Sequence, residues 1–245
     1  MRFLVQTIKG KLPYDFSFAM QKCQEYYNWL GKERLMIKYA EIDDPAIISN
    51  PDWYVPVGSV EFVTRYLTDC YPQANDMLDP INVPTCLFPF AKRKIANVWC
   101  PQHAIPFLGE KKVFRKSNYT LKAEKNGIIE DWLDESCIGY QFSEVVDIDS
   151  EWRVFVFKNE IQHLSNYSGD CMLFPDKNEI QAMVEEYKPY APVAYTLDVG
   201  VSDRGTFPIE VHRFFSCGLY GFADYKVLPK MLSQCWYQMI NKYEI

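Results

Sequence analysis

Basic excess is the first thing this chain lacks. Its 245 residues carry 26 Lys and Arg against 32 Asp and Glu, a net charge of −6, and the sequence pI is near 5.2. A protein that follows nucleic-acid phosphates regardless of sequence normally carries surplus positive charge, so that class is demoted. The longest basic run, Lys92-Arg93-Lys94, reads as a solvated turn. Long apolar runs are missing too. None approaches about 18 residues, the length that suggests a membrane span, and no hydrophobic leader with a small-residue cleavage site opens the chain. The eight cysteines include no C-x-x-C pair, and His103, His163 and His212 lack paired ligand spacing, which argues against zinc. The simplest account is a cytoplasmic protein with reduced, buried thiols. The Asn-x-Ser/Thr matches at Asn118 and Asn166 are then chance matches. Internal repeats and low-complexity segments are also absent.

What is present is an ordinary globular composition, 48% hydrophobic and 24% charged, with a high aromatic share of 16% that points to a heavy core. The start reads as strand, helix, strand. Residues Arg2 to Ile8 form an apolar run, and Phe18, Cys23, Tyr27 and Leu30 follow at helical spacing. A second run, Trp53 to Val57, breaks at Gly58-Ser59 into a helix carrying Val60, Val63, Leu67 and Cys70. Such a turn can hold an anion, though joining strand to helix is its commoner use. Residues Tyr71 to Pro106 hold six prolines and little periodicity, which places an inter-domain connection there. Strands are expected at Lys111 to Lys116 and Tyr140 to Ile148, and a hairpin joins Trp152–Phe157 to Glu160–Leu164. Asp176 and Glu179 have capping-box spacing ahead of the clearest helix, with Ile180, Met183, Val184 and Tyr187 on one face. Val193–Val201 and Phe207–Phe214 flank the turn Ser202-Asp203-Arg204-Gly205, and a last helix uses Leu228, Leu232, Cys235 and Met239.

The informative feature lies on that last hairpin. Asp198 and Glu210 both interrupt runs that otherwise read as buried strands. Carboxylates are rarely buried unless paired or bound to a metal. Antiparallel pairing would bring the two close, and like charges so placed need a proton or a cation between them. Oxygen ligands of this kind suit Mg²⁺, which takes one or two carboxylates and completes its shell with substrate phosphates.

Leu197-Asp198-Val199-Gly200 through Ile209-Glu210-Val211-His212 resembles the metal-binding hairpin of the ATP-grasp family, with His212 where the family usually has Asn. Ser143-Glu144-Val145-Val146 and Glu151-Trp152-Arg153 look like its hinge strand and the hairpin after it. Val113-Phe114-Arg115-Lys116-Ser117 looks like its strand ending in a phosphate-binding cation, with Lys122 on the loop beyond. Arg115, Lys122 and Arg153 together resemble a phage-associated clade named for two arginines and a lysine, as does Ser216-Cys217-Gly218-Leu219-Tyr220-Gly221.

The resemblance covers roughly residues 110 to 225. It implies an α+β ATP-grasp fold in which an N-terminal α/β pre-grasp domain (1–100) precedes the grasp module (101–245). The module's two subdomains, about 101–141 and 142–245, would clasp ATP between them. It further implies Mg²⁺ on Asp198, Glu210 and His212, adenine against the backbone of Glu144, Val145 and Val146, and the ribose hydroxyls on Glu151. Arg115, Lys116, Lys122 and Arg153 would face the phosphates, with Lys122 and Arg153 as the catalytic cations. The expected reaction is ligation of a carboxylate to an amine through an acyl phosphate, on an amino acid, peptide or protein. The acceptor would sit by Phe214 to Tyr220, with Cys217 as a packing residue. A phosphotransferase and a non-catalytic nucleotide-binding interaction protein stay open as alternatives. No membrane or nucleic-acid partner is expected, and the oligomeric state is left open.

Overall fold

A computed structural model describes residues 1–12, 14–31, 34–44, 54–119, 121, 126–130, 132 and 137–241, except for the side chain of Asp76. The chain opens with β1 (Arg2–Gln6), α1 (Asp15–Leu30), β2 (Met36–Ala40), β3 (Val55–Val57) and α2 (Val60–Cys70). The three strands form one parallel sheet in the order β2-β1-β3. The β1 run ends at Gln6, and Ile8 continues only as an isolated bridge to Lys11. Gly31 takes a left-handed φ of 64° and closes α1 by donating from its N–H to the Tyr27 carbonyl. At the start of α2, Ser59 accepts from the Phe62 N–H, and its own N–H donates to Gln6 Oε1. A Cβ on Gly58 would come within 2.7 Å of Gln6. The Gly-Ser turn is therefore occupied by the protein's own donors and close packing. Trp53 lies outside the described residues.

The proline-rich stretch is more than a connection. It forms three 3₁₀ turns, Pro72–Met77, Thr85–Phe90 and Pro101–Phe107, and the strand β4 (Ile95–Val98). β4 joins β5 (Lys112–Ser117), β6 (Gly127–Glu130) and β7 (Tyr140–Glu144) in an antiparallel sheet ordered β4-β7-β5-β6. A division at residue 100 therefore runs between β4 and its sheet partner. The expected strand at Tyr140 to Ile148 stops at Glu144, because the chain must cross to the next sheet before Ser150.

That next sheet, ordered β11-β10-β8-β9, is antiparallel throughout. It consists of β8 (Ser150–Phe157), β9 (Glu160–Gly169), β10 (Ala194–Ser202) and β11 (Gly205–Arg213). Between β9 and β10 runs α3 (Lys177–Tyr187), capped by Asp176, whose carboxylate accepts from the N–H groups of Asn178 and Glu179. Strand alternation sends Val154, Val156, Leu197, Val199 and Val211 to one face, where Ile180, Met183 and Val184 of α3 cover them. The opposite face carries Arg153, Asp198 and Glu210. At its far end Phe155, Phe214 and the closing helix α4 (Leu228–Ile240) join the core of the N-terminal sheet. No helix among the described residues is long and apolar enough to cross a membrane.

Phe155 is fully buried where the sheet meets that core, packed on Phe214 and Phe222. Phe155→Ala should therefore lower unfolding stability by about 3–5 kcal/mol, read as an earlier urea midpoint with unchanged slope. All eight cysteines are free, with Cys171 exposed. Burial pushes the Cys23 and Cys217 thiols up to about 12 and the Cys235 thiol up to about 11. Since the thiolate is the nucleophile, these three stay protonated and inert at pH 8. Alkylation followed by mass spectrometry should label Cys171 first, and Cys23, Cys217 and Cys235 only after denaturation.

Candidate functional site

Three strands in register build the centre of the site. Arg153 of β8 stands opposite Asp198 of β10, and Asp198 stands opposite Glu210 of β11. Just past Asp198 the β10–β11 register shifts: Val199 pairs with Pro208, so Ile209 has no opposite residue. Such a bulge breaks strict alternation, and Ile209 and Glu210 both line the same cleft.

The Arg153 guanidinium holds Asp198 with both prongs, Nε to Oδ1 at 2.8 Å and Nη2 to Oδ2 at 2.7 Å. Its remaining nitrogen, Nη1, donates to the Gly218 carbonyl at 3.0 Å. Tyr220 and Tyr167 cover the guanidinium, with ring centres 5.0 and 5.7 Å from its carbon. Glu210 receives Lys116 Nζ from the facing sheet and lies 3.9 Å from Arg153 Nη2. Lys116 thus ties the two walls of the cleft together.

Asp198 is 2% exposed. Burial pushes its carboxyl up to about 6, against the pull of Arg153. Burial opposes charge on Glu210 as well, but there Lys116 and then Arg153 prevail and hold it below the carboxylate range. Asp198 in turn holds Arg153 above its ordinary range despite burial. Two carboxylates and two cations therefore share one desolvated corner with formal charges that cancel.

The cleft has a volume of about 440 Å³ between the two antiparallel sheets. Lys116, Glu144, Val145, Val146, Glu151, Arg153, Asp198 and Glu210 all line it, so eight of the expected site residues converge. Among the described residues, the backbone amides and carbonyls of Val145 and Val146 make no hydrogen bond. The side chain of Glu144 is engaged at the rim, accepting from the Lys94 N–H and from Arg204 at 2.8 and 3.1 Å. The Arg204 bond holds it below the carboxylate range. Glu151 accepts from the Tyr167 hydroxyl at 2.7 Å.

Two expected residues are placed otherwise. Arg115 does not line the cleft, because alternation along β5 sends Phe114 and Lys116 there and turns Arg115 to the other face, buried with its guanidinium 4.8 Å from the Tyr140 ring centre. Lys116 is thus the cation that β5 gives the cleft. His212 is buried, with Nδ1 3.2 Å from Cys217 Sγ and its ring against Phe215. It does not line the cleft, and no group of three or more His, Cys, Asp or Glu able to hold a metal occurs among the described residues. Lys122 lies outside the described residues.

The donor set nevertheless fits a hard cation. Asp198 and Glu210 offer carboxylate oxygens side by side, the number Mg²⁺ commonly takes from protein when phosphates and waters complete its shell. Neither Arg93 nor Tyr167 was expected in the site, and Tyr220 was expected only beside the acceptor. Arg93 lines the cleft with its guanidinium 4.7 Å from the Phe207 ring centre, and burial pushes it down to about 10. The run Lys92-Arg93-Lys94 is a bend whose Lys92 and Lys94 are exposed, paired with Glu179 and Glu110, while Arg93 alone turns inward. The available signal was three cations just ahead of β4. For the two tyrosines no local pattern marks the role, which comes from β9 and the loop after β11 meeting over Arg153.

A family model for the ATP-grasp domain, R2K clade family 2, matches residues 107–229. No match was found among curated proteins. Among solved structures the fold is similar to that of the ATP-grasp ligase PsnB complexed with its minimal precursor. Identity there is 12%, with a TM-score of 0.54 over 95% of this chain and 99% of that one. It is similar too to D-cycloserine synthetase DcsG (9% identity, TM-score 0.56, 98% and 100% covered). A third neighbour is D-alanine–D-alanine ligase from Bacillus anthracis (10% identity, TM-score 0.51, 99% of each chain). With the cleft between two antiparallel sheets, this match places the chain in the ATP-grasp family, in R2K clade family 2.

Proposed function

We propose that the chain is an ADP-forming ligase that joins a carboxylate to an amine, using ATP with Mg²⁺ in the cleft between its two antiparallel sheets. The observation that carries this reading is the row Arg153–Asp198–Glu210 met by Lys116 from the facing wall. The neighbours whose fold the chain shares are ligases or synthetases by name, which supports the reaction class.

In such a reaction a carboxylate oxygen attacks the γ-phosphorus of ATP, the bond to the ADP oxygen breaks, and an acyl phosphate forms. The amine then attacks the acyl carbon, phosphate leaves, and the nitrogen loses a proton. Most of the catalytic work in such a step is positioning and charge neutralisation. Asp198 and Glu210 would hold Mg²⁺, which would supply Lewis-acid neutralisation of phosphate charge. Lys116 and Arg153 are released from their carboxylate partners as phosphates arrive, so each cation exchanges one anion for another inside the same desolvated space. The Arg153 fork can bind two phosphate oxygens at once, while Gly218 and the two tyrosines keep its plane fixed. Val145 and Val146 present their backbone groups to the adenine. Glu151, already ordered by Tyr167, accepts from the ribose hydroxyls. Cytoplasmic placement and a role for Lys122 in phosphate binding belong to the same reading.

The burial of His212 against Cys217 favours a second reading, a nucleotide-binding protein without turnover. Titrating MgATP into wild type and Glu210→Gln by calorimetry should show binding to wild type, weakened by about 10- to 100-fold in the variant, the range expected for losing metal support. A folded wild type that binds no MgATP would overturn the nucleotide site. With candidate acids and amines supplied together, ADP and phosphate should appear, and they should vanish with Glu210→Gln. Release of AMP and pyrophosphate would exclude the acyl-phosphate route, and binding without any turnover would select the second reading.

A further inference from the structure

The inner face of α1 presents Phe16, Ala19, Met20, Cys23 and Tyr27 to the core of the N-terminal sheet. Its outer face carries Phe18, Lys22, Glu25 and Trp29, all exposed, in steps of four, three and four residues. Those steps keep side chains in one line along a helix. Phe18 is 59% exposed and Trp29 is 80% exposed, so two large aromatic side chains of this line stand in water. Tyr26 lies beside Trp29 with ring centres 6.3 Å apart, and the exposed Tyr225 packs on Tyr26 at 4.1 Å. Apolar groups clustered in this way mark an interaction surface, whereas scattered single ones do not. Tryptophan and tyrosine are also the side chains that most often anchor interfaces.

The order of residues along the line shows what fits it. Lys22 follows Phe18 by four residues and Glu25 precedes Trp29 by four, so the stripe reads aromatic, cation, anion, aromatic. A second α1 laid antiparallel reads aromatic, anion, cation, aromatic. About a two-fold axis midway between Lys22 and Glu25, Phe18 of each copy meets Trp29 of the other, and Lys22 of each meets Glu25 of the other. The stripe is complementary to itself, which is what a closed two-fold interface requires. Within one chain Lys22 Nζ lies 2.9 Å from Glu25 Oε2, which holds both charges at the centre of the stripe. A parallel arrangement would set lysine on lysine and glutamate on glutamate, which repel.

We infer that the outer face of α1 docks a second copy of this chain, the two helices running antiparallel with Phe18 against Trp29 and Lys22 against Glu25. A contact one helix wide belongs to the small, transient class of interfaces, below about 1,200 Å² in total. The dimer therefore forms only as the protein is concentrated. Nucleotide binding in the cleft plays no part in it.

The test is sedimentation equilibrium of the full chain over a concentration series reaching the millimolar range. Wild type should pass from monomer to dimer mass. Lys22→Glu would set a carboxylate against Glu25 of the other copy, and Glu25→Lys would set an ammonium against Lys22. Each should weaken the dimer about tenfold, because two symmetric pairs turn repulsive. The double variant, Lys22→Glu with Glu25→Lys, restores opposite charges and should regain wild-type affinity. Trp29→Ala should abolish the dimer. All three positions are exposed, so urea midpoints should stay near the wild-type value. Wild type that remains monomeric throughout would overturn the inference and leave the stripe to an unlike partner. A dimer that neither single charge reversal weakens would overturn it too, as would a double variant as weak as the singles.

Discussion

The two-pronged bond between Arg153 and Asp198 is the constraint on which the rest of the site depends. It joins two adjacent strands at one register position, in a place so buried that neither charge could persist alone. Around it the remaining contacts fall into order. Gly218 takes the last guanidinium nitrogen, Tyr167 and Tyr220 cover its face, and Glu210 is drawn to the same corner with Lys116 as its partner. Removing either member of the first pair would leave an uncompensated buried charge, which is why the arrangement works as a unit.

The loop that supplies Gly218 is itself held from a distant part of the chain. Asp15, at the start of α1, accepts from the N–H groups of Leu219 and Tyr220 at 2.7 and 3.0 Å with one oxygen, and from Phe16 N–H with the other. A single carboxylate at a helix N-terminus thus fixes the turn that orients Arg153, where the helix dipole also favours its charge. The N-terminal sheet reaches the site through that contact and through the shared core of α4, Phe155 and Phe214. The cleft therefore rests on three units that are far apart in sequence.

Much of this was legible in the residues. Two carboxylates interrupting apolar strands beside a tight turn gave the hairpin, and the structure pairs Asp198 with Glu210. The Asp176 cap of α3 and the strands from β8 onward follow local rules of periodicity and turn chemistry, whereas Glu179 leaves the capping box to pair with Lys92 and the Asp176 N–H donates to Thr206 instead. The short strands β4 and β6 are only four residues each, and β4 sits inside a proline-rich stretch, so periodicity had little to work on. Arg115 and Lys116 are adjacent cations in a strand, and which one enters the cleft depends on which face of β5 meets the other sheet. His212 lies on the same strand as Glu210, yet its ring turns to Cys217 five residues on, a contact created by the chain doubling back after β11.

What the sequence determined by itself was the chemistry on offer: carboxylates in an apolar hairpin, cations on neighbouring strands, and the order of segments shared with the ATP-grasp family. Local periodicity and turn residues act over a few positions, and these features are local. What tertiary structure alone decided was which charges meet. Arg93, Tyr167 and Tyr220 entered the cleft, and Arg115 and His212 left it, because facing between sheets depends on strand parity, one bulge and the packing of remote segments. None of these is encoded in any short stretch of residues.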